Sequence, residues 1–336
     1  MLFSETQKKI LQQLADGQFH SGTQLASVLG LSRAAISKHL KSLADIGLRH
    51  VAISGKGYRL ERPLELLAQS QIETMLSPDH QALISQWHIH DSLDSTNSYL
   101  LAQTSDATPL GIVCLAEHQT AGKGRRGRQW VSPYGSNIYL SLRWRFLHGG
   151  IASTHGLSLA VGVAVMRALH QLQVPAVGLK WPNDIVSQGK KLGGILIEVS
   201  GEADGPCTAV IGIGLNVHLP AADAESISQA WTDLGKITGH SPISRNALAG
   251  SLLRHLLDIT NGYENIGLKA YLDEWRRYDA LQGQAAILYI GQQQLDGVVM
   301  GVDDLGLLLL KKPDGSVQAY ASGEISFNQA NTCTYS

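Results

Sequence analysis

Cysteine is scarce and scattered in this chain. Cys114, Cys207 and Cys333 sit far apart and form no Cys-x-x-Cys pair, which argues against a disulfide framework and a thiolate zinc site. No metal-ligand cluster is expected. Long apolar runs are also missing. The longest, Leu157 to Leu169, contains Ser158, Gly162 and Arg167 and is too short to span a bilayer. The opening Met1-Leu-Phe-Ser-Glu-Thr-Gln-Lys-Lys lacks the apolar core of a signal peptide. A soluble, cytoplasmic protein without a membrane partner is expected. The formal net charge of −1 excludes a generally basic coat, so any nucleic-acid contact must come from a local patch.

One shortage is local and more informative. Between Glu117 and Asp184 there is no Asp or Glu, while Lys123, Arg125, Arg126, Arg128, Arg143, Arg145, Arg167 and Lys180 are cationic. The stretch begins with Gly122-Lys-Gly-Arg-Arg-Gly-Arg128. Glycines let backbone N–H groups converge on an anion, and guanidinium forks add charge-assisted hydrogen bonds. A phosphate or carboxylate site follows. Gly122-x-Gly124-x-x-Gly127 matches the spacing of a dinucleotide fingerprint, but no acid stands about 20 residues on and no helix pattern follows. No Gly-Lys-Ser/Thr closes a P-loop either. What remains is a flexible arginine-rich loop, able to order around its ligand.

The 336 residues predict two or three domains. In the first sixty, Ile10, Leu11 and Leu14 lie at helical spacing, Ser21 with Gln24 opens a second helix, and Ser32 caps a third. Ile36, Leu40 and Leu43 form the third helix's apolar stripe. His50 to Ser54 and Tyr58 to Leu60, joined by Gly55-Lys-Gly57, read as a hairpin wing. This is a winged helix-turn-helix pattern over about Gly22 to Lys41. Ser32, Arg33, Ser37, Lys38, Lys41 and Lys56 are the DNA-binding candidates, the cationic ones for phosphates. A plain three-helix packing module shares the pattern. Arg62-Pro63 ends the wing.

Further on, Asp91 to Ser98 is a polar loop before a short helix, with Asp94, Ser95 or Thr96 as ordinary N-caps. Gly111 to Ala116 is an apolar strand leading into the glycine–arginine loop. Asn137 to Trp144 alternates, and is read either as an edge open to pairing or as an internal strand. A helix from about His155 to Leu172, the hairpin after Lys180-Trp-Pro-Asn-Asp184, and a strand from Cys207 to Leu219 follow. Antiparallel strands with helices on one side imply an α+β fold. Strands at Ala285–Ile290, Gln294–Met300, Gly306–Leu310 and Ser316–Tyr320 imply a small β-barrel.

Taken together, Asp94-Ser-Thr-Asn97, Gln119 to Trp130, Lys180 to Asp184, Lys190-Lys-Leu-Gly-Gly-Ile195 and Gly212-Ile-Gly-Leu-Asn216 resemble biotin–protein ligases. Phe19 to Leu25 and Ser32 to Leu40 further resemble the bifunctional bacterial form, which is also the biotin operon repressor. The resemblance covers nearly the full chain, in order. It implies a multidomain α+β protein: a winged helix-turn-helix over 1–62, a class II synthetase-like mixed α/β catalytic domain over 63–275, and an SH3-like β-barrel over 276–336. It implies that biotin and ATP form biotinyl-5′-adenylate, with Mg²⁺, and that biotin passes to one lysine of a biotin carboxyl carrier protein. It also implies operator DNA as a partner and a homodimer in the adenylate-bound state.

By the same resemblance, Ser95, Thr96, Asn97, Gln119, Gly122, Lys123, Gly124, Arg125, Lys191 and Gly194 bind biotin. Arg125, Arg128, Trp130, Asn183, Lys191 and Asn216 bind ATP or the adenylate, with Asn216 read first as ordering a strand end. Arg125, Lys191 and Asp184 are the catalytic candidates. Asp184 is expected either to orient the acceptor lysine or to hold Mg²⁺ or Lys180. Two departures stand out: Lys123 replaces the usual first arginine of the loop, losing its bidentate fork, and Asn328 occupies an often basic position. Two alternatives remain, a lipoate–protein ligase and a biotin-sensing transcription factor with weak ligase activity. Against the first, the chain lacks an Arg-Arg-x-x-Gly-Gly-Gly run; against the second, Arg125 and Lys191 are intact.

Overall fold

The computed structural model describes residues 4–44, 47–103, 110–239 and 241–327, so Cys333 and Asn328 lie outside the described residues. In α1 (Glu5–Leu14) a reciprocal capping box joins Ser4 and Gln7. Ser21 caps α2 (Gly22–Leu29), and Gly30, in the left-handed region at φ 65°, ends it. Ser32 Oγ accepts the Ala35 N–H at 3.1 Å to start α3 (Arg33–Ala44). Ile10, Leu11, Leu14, Leu25, Ile36, Leu40 and Leu43 interlock as the core of this unit. The wing is β1 (His50–Ile53) and β2 (Gly57–Leu60), antiparallel, and Tyr58 exchanges both backbone hydrogen bonds with His20 at 2.8 Å. Gly57 has no room for a Cβ, which would meet His20 O at 2.1 Å.

The connector docks this unit onto the rest. Leu64 packs with the winged-helix core and with Tyr134, whereas Leu67 belongs to the central core. Lys8 Nζ reaches Asp91 at 3.0 Å, and Arg62 donates to Ser136 Oγ at 2.6 Å.

The central unit runs α4 (Gln69–Ile72), α5 (Pro78–Ala82), β3 (Ile84–His90), α6 (Thr96–Leu101), β4 (Gly111–Ala116), β5 (Ile138–Phe146), α7 (Leu157–Gln171), β6 (Gly178–Lys180), β7 (Asp184–Ser187), β8 (Lys190–Gly201), β9 (Cys207–Leu215), α8 (Leu234–Ile237), α9 (Arg245–Ile266) and α10 (Lys269–Arg277). Seven strands form a mixed sheet in the order β3-β4-β5-β9-β8-β7-β6, with β3 and β4 parallel and the other neighbours antiparallel. Alternation along the strands divides the two faces. Val113, Leu115 and Ile211 face the large core with α7 and α9, while Ile112, Cys114 and Val210 face Leu100 of α6.

One expectation changes here and one alternative is decided. Helices cover both faces, because α6 fills the second one. The alternating strand β5 is internal, hydrogen-bonded to β4 and β9, so it offers no edge for pairing. The stretch Ile151–Gln171 is long and apolar enough to cross a membrane by composition, but most of α7 within it is buried as the core helix.

The third unit is one antiparallel sheet of β10 (Ala285–Ile290), β11 (Gln293–Val302), β12 (Leu308–Lys311), β13 (Val317–Tyr320) and β14 (Glu324–Phe327). Its order is β13-β12-β11-β10-β14, with β13 and β14 at opposite edges, so among the described residues the sheet is open and the expected barrel is not closed. It has one strand more than the sequence pattern suggested. Leu288, Val299, Leu308 and Ile325 join the central core without a break, and Trp181 Nε1 donates to Gly306 O at 3.1 Å. That continuity brings Glu324 and Phe327 to the rim of the central sheet.

Candidate active site

The glycine–arginine loop folds as a tight hairpin. Trp130 N donates to Gly122 O at 2.8 Å and Gly124 N to Arg128 O at 2.7 Å. Arg126 and Gly127 take the left-handed region at its tip, with φ 57° and 73°. Gly122 must lack a side chain, since a Cβ would meet Trp130 O at 2.4 Å and Ser132 Oγ at 2.7 Å. The loop covers a cavity of about 440 Å³ on the α6 side of the sheet, a volume typical of a small-ligand site.

One wall is polar and fixed. Ser95 Oγ caps α6, and Thr96 donates to Gln119 Oε1 through its backbone N at 2.9 Å and its Oγ1 at 3.2 Å. Gln119 Nε2 in turn donates to Ser132 Oγ at 3.0 Å. Asn97 is buried and saturated: Nδ2 donates to Glu198 Oε2 at 2.9 Å and Leu196 O at 3.3 Å, and Oδ1 accepts from Ser141 Oγ at 2.6 Å. The floor is glycine. Gly194 and Gly214 pair across β8 and β9, and a Cβ on Gly214 would meet the Trp130 ring at 2.7 Å.

The opposite wall is charged. The turn between β6 and β7 carries Lys180, Asn183 and Asp184, and the β7–β8 hairpin returns Lys191 beside them. Asp184 Oδ1 holds Lys191 Nζ at 2.7 Å, and its Oδ2 lies 3.7 Å from Lys180 Nζ. Arg125 reaches from the loop and donates to Asn183 Oδ1 at 2.9 Å, while Asn183 Nδ2 donates to Ile195 O at 2.8 Å. Burial, followed by the neighbouring Arg126 charge, lowers the pKa of Arg125. Burial also lowers that of Lys180, opposed by Asp184. Lys191 Nζ lies 5.7 Å from the centre of the Trp130 ring, so the aromatic residue and the cation adjoin.

The structure thus gathers Ser95, Thr96, Asn97, Gln119, Lys123, Gly124, Arg125, Arg128, Trp130, Asn183, Asp184, Lys191 and Gly194 around one cavity. Two candidates stand apart from its lining. Gly122 lies at the base of the loop, where its carbonyl accepts from Trp130 N, and Asn216 donates to Thr232 O at 3.0 Å, ordering the end of β9. Of the other acid-free-stretch cations, Arg167 is bound to Glu274 at 2.6 Å on α10, far from the loop. Among the described residues there is no group of three or more His, Cys, Asp or Glu able to hold a metal ion.

Several lining residues were not among the site candidates. Glu324 on β14 is ion-paired with Arg128 and lies 3.7 Å from Arg126. Tyr289 and Phe327 also come from the C-terminal sheet, and Ser228 to Ala230 from the loop after β9. That loop is tied to Lys191, whose N donates to Ala230 O and whose O accepts from Thr232 N, both at 2.9 Å. Glu324 stands in Gly323-Glu-Ile-Ser326, a run that resembles the ligase family but was given no role, and no local pattern marks the others, because each reaches the site through long-range packing.

On the winged helix, Ser32, Arg33, Lys38, Lys41 and Lys56 are exposed and Ser37 is partly exposed. Ser32 is occupied as the cap of α3.

Comparison with known proteins agrees with this geometry. Residues 89–216 match the biotin/lipoate A/B protein ligase family, residues 6–59 an HTH domain, and residues 286–328 the biotin protein ligase C terminal domain. The bifunctional ligase/repressor BirA of Escherichia coli (strain K12) is 39% identical over 322 residues, covering 96% of this chain and 97% of that protein. Its namesake in Bacillus subtilis (strain 168) is 31% identical over 314 residues, covering 92% and 94%. The structure of biotin protein ligase from Aquifex aeolicus in complex with biotin and ATP matches 72% of this chain and 98% of that one, with TM-score 0.59 and 25% identity. The chain therefore belongs to the biotin/lipoate A/B protein ligase family, and within it to the bifunctional ligase/repressors.

Proposed function

We propose that this protein joins biotin to ATP as biotinyl-5′-adenylate and transfers the biotin to one lysine of the carrier domain of acetyl-CoA carboxylase or a related carboxylase. The observation that carries this is the junction in one cavity of a hydrogen-bonding wall, Thr96 and Gln119, with a cationic wall, Arg125 and Lys191. The first wall suits a neutral, polar ring head, with Ser95, Asn97 and Gly194 shaping it. The second suits the carboxylate and the α-phosphate, where charge develops. A biotin carboxylate oxygen attacks the α-phosphorus, and pyrophosphate leaves with the bridging oxygen's electron pair. Arg125 and Lys191 offset the repulsion between the two anions, while Lys123, Gly124 and Arg128 complete the loop over them. Trp130 flanks the adenine.

In the second step the acceptor amine attacks the acyl carbon and AMP leaves. Asp184, oriented by two ammonium groups, orients that amine. Magnesium fits best as a companion of the ATP phosphates, since the carboxylate of the cationic wall, Asp184, is engaged by Lys180 and Lys191. The C-terminal sheet, which we read as an opened SH3-like barrel, completes the ATP side through Glu324 and Phe327 and meets the carrier protein.

The winged helix adds repression of biotin biosynthesis genes, with the adenylate as corepressor and a cytoplasmic homodimer as the DNA-binding form. Arg33, Lys38, Lys41 and Lys56 contact phosphates, and Ser37 faces the groove. Biotin-dependent exchange between pyrophosphate and ATP tests the enzymatic half: exchange with biotin and none with lipoate is expected. DNA-binding anisotropy tests the other half. Tighter operator binding with biotin plus ATP is expected, and indifference would refute corepression.

A further inference from the structure

The hydrogen-bonding wall of the cavity is backed by a carboxylate that does not line it. Asn97 Nδ2 donates to Glu198 Oε2 at 2.9 Å and, more weakly, to Leu196 O at 3.3 Å. On the other side of the amide, Asn97 Oδ1 accepts from Ser141 Oγ at 2.6 Å. Ser141 Oγ also stands 2.7 Å from Thr96 Oγ1, whose hydroxyl donates to Gln119 Oε1 at 3.2 Å. Thr96, Asn97 and Gln119 line the cavity, whereas Glu198 and the wholly buried Ser141 stand behind them. A relay thus runs from Glu198 on β8 through Asn97 and Ser141 to Thr96.

Glu198 fixes the direction of that relay. An ionised carboxylate only accepts, whereas a primary amide has one accepting and one donating side. Glu198 therefore turns the NH₂ of Asn97 toward itself and the oxygen toward Ser141. The single proton of Ser141 has two acceptors in reach, Asn97 Oδ1 and Thr96 Oγ1. With the amide held this way, the shorter bond draws the proton to Asn97, and Thr96 Oγ1 is left to accept a ligand N–H. With the amide turned over, Asn97 would donate to Ser141 and send its proton to Thr96. A ligand N–H would then be the second donor to one oxygen, which is the weaker bond. Asn97 has little freedom to move away, since it lies so close to Gly212 that a Cβ there would come within 2.2 Å of Oδ1.

We infer that Glu198 is a positioning residue for the acid's head group: it sets the orientation of the Asn97 amide and, through Ser141, keeps Thr96 Oγ1 open as an acceptor. The inference rests on the biotin-adenylating reading above. The ureido ring of biotin brings N–H donors for that oxygen. The dithiolane ring of lipoate brings none, so the relay favours the first acid over the second. Glu198 touches neither ligand and acts only through the side chains in front of it.

The test measures biotin affinity by titration calorimetry on the full chain, in Glu198→Met, Glu198→Gln, Thr96→Val and the double variant Glu198→Met with Thr96→Val. Glu198→Met removes the acceptor and is expected to weaken biotin binding about 5- to 10-fold, with the KM for ATP within about twofold of the parent. Glu198→Gln, whose carbonyl can still accept from Asn97, is expected to bind biotin within about twofold of the parent. Thr96→Val removes the oxygen at the end of the relay, so adding Glu198→Met to it is expected to cost less than about twofold more. A merely structural Glu198 would weaken binding by the same factor in both backgrounds, and that result would overturn the inference. So would undiminished biotin affinity in Glu198→Met, or a Gln variant as weak as the Met one. Glu198 is only partly buried, and if the Met variant still fails to fold, Glu198→Ala enters the same cycle. A parent protein that binds no biotin would instead defeat the reading of the site as a whole.

Discussion

Asp184 and Lys191 meet at 2.7 Å across the β7–β8 hairpin, so the carboxylate proposed to guide the acceptor amine also positions the cation proposed to hold the adenylate phosphate. The two roles separate by substitution. Asp184→Asn keeps a polar partner for Lys191 but loses the charge that attracts the incoming amine. Single-turnover assays are expected to show adenylate formation within a few-fold of normal and transfer reduced by roughly 10²-fold. Normal transfer would remove Asp184 from the second step.

Gly212 faces Asn97 with no space between them. A Cβ there would lie 2.2 Å from Asn97 Oδ1, which Ser141 already fixes at 2.6 Å. Gly212→Ala therefore displaces the wall formed by Thr96 and Asn97 and leaves the Lys180–Lys191 side alone. The KM for biotin is expected to rise by about 10-fold or more, and the KM for ATP to change far less. Equal changes in both would contradict the division of the cavity into two walls.

A buried ion pair anchors the root of the glycine–arginine loop. Arg245 donates to Glu117 Oε2 at 2.7 Å, to Glu65 O at 2.7 Å and to Asn137 O at 2.9 Å, and Glu117 Oε1 accepts Leu67 N at 2.5 Å. Arg245→Met strands Glu117 and is expected to cost about 3–5 kcal/mol in urea unfolding. Adding Glu117→Gln is expected to recover part of that loss. An additive second loss would show that the pair is not the cause.

How much of this was legible in the sequence depends on how local the signal is. Arg125, Asp184 and Lys191 could be singled out because their chemistry sits in short motifs of fixed spacing. Helix caps such as Ser21 and Ser32 were readable for the same reason. Glu324 lies in the family-like run Gly323-Glu-Ile-Ser326, but its place in the site was not legible, since its partners Arg126 and Arg128 are remote in the chain and meet it through β10–β14 pairing. The alternation along β5 left edge and interior equally open, and only its pairing with β4 and β9 decides between them. The placement of α6 on the second face likewise depends on packing rather than on its six residues.

Asp279 gives a pH signature outside the cavity. Burial pushes its carboxyl up to about 6, and its Oδ2 is buried without a partner. The folded state thus binds this proton more tightly than the unfolded chain, so the group's contribution is fully present below its unfolded pKa and is lost as pH rises through about 6. Asp279→Asn removes that loss. The variant is expected to have the higher Tm at neutral pH, with the advantage shrinking as the pH is lowered toward 4, near the ordinary carboxylate range. A pH-independent difference would assign the effect to packing.

The central claim is that the cavity makes an acyl-adenylate and passes the acyl group to a protein lysine. Intact-mass analysis of a biotin carboxyl carrier domain incubated with this protein, ATP, and either biotin or lipoate tests it most directly. The account requires one biotin on one lysine of the carrier, dependent on ATP and lost in Arg125→Ala, with no lipoyl product. A carrier that stays unmodified with both acids, or that accepts lipoate in place of biotin, would contradict it.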